Sequence, residues 1–304
     1  MSGMKIAKLL HNPAAGDENH TREELIQQIK SRGFNTIYHS LKEKDFLRVI
    51  EDEVDFIIVA GGDGTVRKVV KKLLERRVLD KNFPIALLPM GTANNISKTL
   101  GITASHIDII KSWINREVKK IDIGKIYNFA AANFFIEGLG FGVFPRLIKE
   151  MINVDEVLID TPEKEIKYAL HKLKQITSTY EAKYCHIIID GDSYSGKYLL
   201  VEVLNMTSIG PNLVLAPDAD PGDGFLEVVL IAESQKNDLD KYIKHKLNGM
   251  DSKLSFPPIK AKSVVMRWGG HMLHVDDQLI MLEEDTIIKI ELLPGVLQFL
   301  VPNK

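Results

Sequence analysis

An uncharged run, Phe56-Ile57-Ile58-Val59-Ala60, stops in Gly61-Gly62-Asp63-Gly64-Thr65, and a helical repeat begins at once. Val66, Val69, Val70, Leu73 and Leu74 fall at i, i+3, i+4, i+7 and i+8, the period of one helix face. Strand, tight turn and helix in direct succession make a βα unit. Glycines at such a turn let the backbone approach a ligand and adopt positive φ. The helix N-terminus that follows offers free N–H groups and the positive end of a dipole, which suit a phosphate. Asp63 is the odd member. A carboxylate beside a phosphate cradle repels the anion unless Mg²⁺ or a transferable proton lies between them. The cluster points to nucleotide chemistry; the competing reading is a plain turn with Asp63 as helix N-cap, a role Asp favours. Other phosphate signatures are missing: there is no Gly-x-x-x-x-Gly-Lys-Ser/Thr run, and no Gly-x-Gly-x-x-Gly after a strand. Gly138-Leu139-Gly140-Phe141-Gly142 has the wrong spacing and reads as a flexible turn.

Two further units repeat the pattern. Lys5 to Leu10 reads as a strand, followed by Asn12-Pro13-Ala14-Ala15-Gly16 and a helix carrying Leu25, Ile26 and Ile29. Ile85 to Leu88 is a short apolar strand, followed by Pro89-Met90-Gly91-Thr92-Ala93-Asn94-Asn95 and a helix with Ile96 and Leu100, ended by Gly101. Ligands of open parallel sheets bind outside the carboxyl ends of the strands. Three small-residue loops at that one edge make a nucleotide site a better reading than three unrelated turns.

The texture changes near Asp122. Lys183 to Asp190 alternates, Asp190-Gly191-Asp192 signals a turn, and Ser193 to Asn205 runs on as strand. Phe225–Ala232, Ala261–Trp268 and Thr286–Leu293 read as strands, and Pro162–Ser178 and Gln235–Lys246 as helices. The expected class is α/β plus β: a doubly wound, Rossmann-like N-terminal domain over 1–122 and an antiparallel β-sandwich over 123–295. A chain of 304 residues suits two such domains. Lys+Arg of 39 against Asp+Glu of 41 offers no basic footprint for nucleic acid. The single Cys185 excludes an internal disulfide and any Cys-x-x-Cys motif, and in its strand it reads as a packed thiol. No apolar run is long enough to span a bilayer and no signal-peptide pattern opens the chain, so a cytoplasmic protein is expected.

Taken together, Asn12–Gly16, Gly61–Thr65 and Gly91–Asn95 resemble the three nucleotide-site motifs of the diacylglycerol kinase catalytic family, which includes sphingosine kinases, ceramide kinases and bacterial soluble lipid kinases. Ala216 to Val228 resembles a fourth motif, in the second domain. Order and spacing agree for all four. The resemblance implies ATP and Mg²⁺. It implies that Asn12, Pro13 and Gly16 border the nucleotide, that Gly61, Gly62, Gly64 and Thr65 wrap the phosphates, and that Asp63 touches the bridging Mg²⁺. Thr92 and Asn94 would add side-chain hydrogen bonds, with N-cap an equal alternative for Asn94. Asn95 stands where the family usually has Asp. Ser40 aligns with a family Thr near the adenosine. Asp220, Asp223 and Phe225 align with a structural Mg²⁺ site; the alternative is an acidic turn. Val296 to Pro302 would return to the first domain, and the cleft between domains is the default place for a second substrate.

The C-terminal signature departs from the family. Where relatives carry Asp-Gly-Glu, this chain has Asp276-Asp277-Gln278. The acidic residues are assigned to deprotonating the lipid hydroxyl, and a glutamine cannot accept a proton. General base catalysis contributes about 10²–10⁴-fold. Phosphoryl transfer depends mainly on positioning and charge neutralisation, so Asp276 or Asp277 can substitute. His271 and His274 read as ordinary loop histidines, since at i and i+3 on a strand they would face opposite sides. Arg67, Lys68, Lys71, Lys72, Arg76 and Arg77 read as a solvated helix face, with attraction to anionic lipid heads as the alternative. The expected function is ATP-dependent phosphorylation of a diacylglycerol-like or sphingoid-like hydroxyl. A non-catalytic nucleotide-binding relative and an NAD kinase are the alternatives. The expected partner is a membrane lipid met peripherally; a homodimer is compatible, and nucleic acid is not expected.

Overall fold

Strands built of uncharged, buried residues pair in parallel where both faces of a sheet are covered, and the strands at 56–61 and 85–89 do so here. The computed structural model describes residues 5–15, 20–43, 54–75, 82–152, 154, 160–250, 252, 254 and 256–303. The chain divides into two compact units, residues 1–121 with 297–304, and residues 122–296. In the first unit β1 (Lys5–His11), α1 (Arg22–Ser31), β2 (Phe34–Ser40), β3 (Phe56–Gly61), α2 (Asp63–Leu74), β4 (Ile85–Pro89), α3 (Asn95–Thr99) and α4 (His106–Ser112) follow one another. Every residue of β3 is buried. β2 pairs with β1, β1 with β3 and β3 with β4, all in parallel. The order β2-β1-β3-β4 means that winding reverses between β1 and β3. Such a reversal leaves a crevice at the carboxyl ends of the two strands, where ligands of open α/β sheets bind.

β5 (Glu117–Tyr127) carries the chain into the second unit. There follow β6 (Phe134–Phe135), β7 (Gly138–Gly142), α5 (Val143–Met151), α6 (Pro162–Thr179), β8 (Lys183–Ile189), β9 (Asp192–Leu204), β10 (Ser208–Ile209), β11 (Leu213–Val214) and β12 (Leu226–Ala232). α7 (Lys236–Leu247), β13 (Ile259–Ala261), β14 (Ser263–Trp268), β15 (Met272–Val275), β16 (Gln278–Met281) and β17 (Ile287–Val301) complete it. β9 is the hinge of the sandwich. Its first half pairs with β8, and its second half with β7 on one edge and β12 on the other, all antiparallel. Alternation then sorts its side chains. Val201 and Val203 join the core between the sheets, with Phe141, Ile187, Val264 and Ile288. Leu200 and Leu204 face a second core with Phe144 of α5, Leu173 of α6 and Tyr242 of α7. β17 ends in the first unit, where Phe299 pairs in parallel with Ile85.

The Gly138–Gly142 run is a strand, not a flexible turn, and it is buried throughout. Gly140 stands opposite Glu202 on β9 and His274 on β15. A Cβ there would lie 2.2 Å from the Glu202 carboxylate. The missing side chain lets residues of two flanking strands meet across the middle one. Cys185 is packed in the core, and burial pushes its thiol up to about 12. No helix among the described residues is long and apolar enough to cross a membrane.

Candidate functional site

The segments at the carboxyl ends of β1, β2, β3 and β4 line an open cavity of about 320 Å³, walled by Asn12, Ala15, Leu41, Gly62, Gly64, Thr65, Lys68, Gly91 and Thr92. The loops are tied to one another. Asn12 Nδ2 donates to Thr65 Oγ1 at 3.2 Å. Met90 N donates to Gly61 O at 3.0 Å. Gly62 and Gly91 meet back to back: a Cβ on Gly91 would lie 2.4 Å from Gly62 Cα, and one on Gly62 would lie 2.9 Å from Gly91 Cα. Left-handed φ is not the reason for these glycines, because none of Gly61, Gly62, Gly64 and Gly91 has a positive φ. Close approach is.

Asp63 does not cap its own helix, whose N-cap is Gly62. Its carboxylate reaches the next loop and accepts from Asn95 N at 2.8 Å and Ile96 N at 3.1 Å. The residue thus docks α3 against α2. Asn94 is the N-cap of α3 by position, at φ 52°, but its side chain makes no cap bond. It closes on Gly91 instead, Oδ1 accepting from Gly91 N and Nδ2 donating to Gly91 O. Pro13 follows Asn12 in its loop, Ser40 ends β2 outside the cavity lining, and Gly16 lies outside the described residues.

Lys68 is the lining residue that the amphipathic reading passed over. Lys68 is the cavity's charged residue, and its Nζ donates to Leu41 O at 3.1 Å. The signal was its spacing of i+3 from Thr65, which puts both on one face of α2. Arg67 is no part of a solvated face, being 8 % exposed. Arg76 and Arg77 lie outside the described residues.

In the second unit the Asp276-Asp277 turn joins β15 to β16. Asp276 is buried at φ 52°, a conformation Asp tolerates better than most residues. Asp277 has no positive φ, so the residue that replaces the family's Gly is unstrained. The Asp276 carboxylate accepts from Ile136 N, Glu137 N and Gly138 N, at 2.8 to 3.3 Å. Asp276 N donates back to Gly138 O at 2.7 Å. Gln278 is exposed at the start of β16. His274 is no loop histidine; it is wholly buried on β15. Its Nε2 meets the Glu202 carboxylate at 2.8 Å and its Nδ1 donates to Asp276 O at 2.9 Å. Burial disfavours the imidazolium, but Glu202 and Asp276 together outweigh this and hold His274 above its usual value. Sequence spacing could not reveal the pair, because it forms across β7 over Gly140.

Asp220, Asp223 and Phe225 lie in one loop, where both carboxylates meet protein donors. Asp223 Oδ1 accepts from Phe225 N at 3.0 Å, and Oδ2 from Lys260 Nζ at 2.6 Å. Asp220 Oδ1 accepts from Gly222 N at 3.0 Å. Among the described residues no three His, Cys, Asp or Glu side chains gather as cation ligands.

A parallel sheet with a glycine-lined cavity at its switch point, joined to an antiparallel sandwich, defines a two-domain kinase-type fold. Residues 7–126 match the diacylglycerol kinase catalytic domain, and residues 150–278 match the YegS C-terminal NAD kinase beta sandwich-like domain. These two matched segments, in this order, are what the chain shares with the diacylglycerol kinase family. It is 28 % identical over 257 residues to a diacylglycerol kinase of Bacillus subtilis (strain 168), covering 79 % of this chain and 77 % of that one. A crystal structure of a diacylglycerol kinase from Bacillus anthracis str. Sterne superposes with a TM-score of 0.72 at 23 % identity, over 100 % of this chain and 98 % of that one. An NAD kinase from Archaeoglobus fulgidus, solved with ATP, is more distant, with a TM-score of 0.53 at 12 % identity over 98 % and 94 % of the two chains.

Proposed function

We propose that the protein is an ATP-dependent lipid kinase. It would transfer the γ-phosphoryl group to a hydroxyl of a diacylglycerol-like or sphingoid-like lipid. The observation that carries this reading is the cavity at the β1/β3 reversal, built from cross-tied glycine turns and walled by Thr65, Lys68 and Thr92. Its volume lies in the small-ligand range. Main-chain N–H groups at the start of α2 suit phosphate oxygens, and Lys68 neutralises charge there. Mg²⁺ belongs to this reading as the ion that arrives with ATP. Asp63 is assigned the docking of the two turns on which the phosphates rest. In the reaction the bond between the β,γ-bridging oxygen and the γ-phosphorus breaks, and a bond from the lipid oxygen forms. The hydroxyl proton leaves to a carboxylate; Asp276 is committed to three main-chain N–H groups, which leaves the exposed Asp277 as our assignment. The chain needs no spanning helix for this, and a cytoplasmic protein touching the membrane peripherally fits. Lys71, exposed on α2, is a candidate for anionic head groups.

The test is transfer of labelled phosphate from ATP to lipids in mixed micelles, with NAD as a parallel acceptor. Lys68→Met should weaken MgATP binding roughly tenfold or more, since a hydrogen bond to a charged group is worth about 1.5–3 kcal/mol. Labelled NAD and unlabelled lipid would replace the proposal by an NAD kinase. The exposed Gln278 favours one second reading, a nucleotide-binding protein without transfer. Gln278→Glu separates the two: faster lipid labelling, by up to about 10²-fold, supports a kinase lacking one base. Nucleotide binding without transfer in either form supports the second.

A further inference from the structure

We infer that Lys260 supplies, from within the chain, the positive charge that holds the 216–225 loop, and that this loop takes no divalent cation. Mg²⁺ and Ca²⁺ need six to eight oxygens turned toward one point. Here the carboxylate oxygens of Asp223 and Asp122 and the carbonyls of Asp220 and Pro221 are turned elsewhere. Both Asp223 oxygens are committed, one to Phe225 N and one to Lys260 Nζ. The Asp220 main-chain oxygen accepts from Asp223 N at 3.1 Å. The neighbouring carboxylate, Asp122, is buried and accepts from Gly224 N at 2.9 Å and Gly295 N at 2.7 Å. The Pro221 carbonyl accepts from Asp122 N.

Strand register places the ammonium. β12 and β13 pair so that Lys260 stands opposite Glu227. Its Nζ lies 3.9 Å from Glu227 Oε1 and 2.6 Å from Asp223 Oδ2. It also sits 5.2 Å from the centre of the Phe225 ring. Glu227 is buried, and burial pushes its carboxyl up while Lys260 opposes that. Two carboxylates and an aromatic face thus converge on one ammonium. A divalent ion would neutralise the same pair of charges, but a side chain cannot be removed by a chelator.

The experiment compares melting curves of the full chain in EDTA, in MgCl₂ and in CaCl₂, with metal content read by mass spectrometry. The wild type should contain no stoichiometric Mg²⁺ or Ca²⁺ and should melt alike in all three. Lys260→Met keeps the stem and removes the charge. In EDTA it should melt about 2 °C lower, the shift expected of one partly exposed ion pair in a chain of this size. Mg²⁺ or Ca²⁺ should restore part of that loss, because Asp223 and Glu227 are left facing each other. Lys262→Met removes the other cation over Phe225 and should gain no divalent response. Stoichiometric metal in the wild type, or a melting point that falls on chelation, would overturn the inference. So would a Lys260→Met protein that melts like the wild type in EDTA, or an equal divalent response in Lys262→Met.

Discussion

At the scale of single residues, Gly61, Gly62 and Gly91 of the cavity turns are there for contact. Gly91→Ala would put a methyl carbon against Gly62 Cα, a backbone atom that cannot rotate away. The two turns must separate, at about 1–3 kcal/mol for overpacking. Nucleotide affinity should fall with stability, and isothermal titration together with a melting curve would show both. Asp63→Ala tests a different link. Losing two N–H acceptors at the start of α3 should cost about 1 kcal/mol of stability, the usual worth of a helix cap. MgATP binding should drop out while the fold persists by circular dichroism. A folded Asp63→Ala protein with full nucleotide affinity would refute the docking role. Both residues stood out in the sequence. That Asp63 caps a neighbouring helix and not its own was not legible there, because the bond spans two loops far apart in the chain.

At the scale of elements, β7, β9 and β15 form a three-strand unit with a buried ion pair across its middle. Both His274 nitrogens face acceptors, so the folded state holds the imidazole proton above the usual value of 6.5. The sign follows from linkage. The unfolded chain loses this proton near pH 6.5 while the folded chain keeps it, so the folded state binds more protons above that pH. His274's contribution is therefore fully present below pH 6.5 and is lost as pH rises through its folded value; Glu202, whose carboxyl is pushed up by burial against the opposing His274, adds a loss of the same sign that begins at lower pH. Each unit of raised pKa is worth about 1.4 kcal/mol. Wild-type melting temperature should fall on going from neutral to alkaline pH. Glu202→Gln, which removes the charge that holds the imidazolium, should flatten that dependence. Parallel slopes for the two proteins would mean that His274 is neutral in the fold. The strands themselves were legible from alternation and β-branched runs. The buried strand β7 was not, because its three glycines carry no hydrophobic signal and only its neighbours reveal why they must be small.

At the scale of the whole molecule, the chain divides into two compact units, and a single unfolding temperature need not describe both. Under the nucleotide-binding reading, ATP should stabilise the unit that holds the cavity. At a hundred times its dissociation constant a ligand contributes about 2.7 kcal/mol to the state that binds it. Calorimetry with MgATP should raise one transition and leave the other nearly in place. Equal shifts of two resolved transitions, or none, would count against a site confined to residues 1–121.

The sequence by itself determined the fold class. Apolar runs broken by small-residue loops, then alternating strands, admit few other architectures, and their signals are local. It also marked the three loops of the cavity, because glycine, threonine and asparagine at strand ends are legible one loop at a time. Tertiary structure alone decided which groups meet. It turned Asp63 toward α3, buried His274 against Glu202, and gave Asp223 a lysine for a partner. Each of these contacts joins residues from different elements. Register and crossover order set such contacts, and neither leaves a trace in the spacing of residues along the chain.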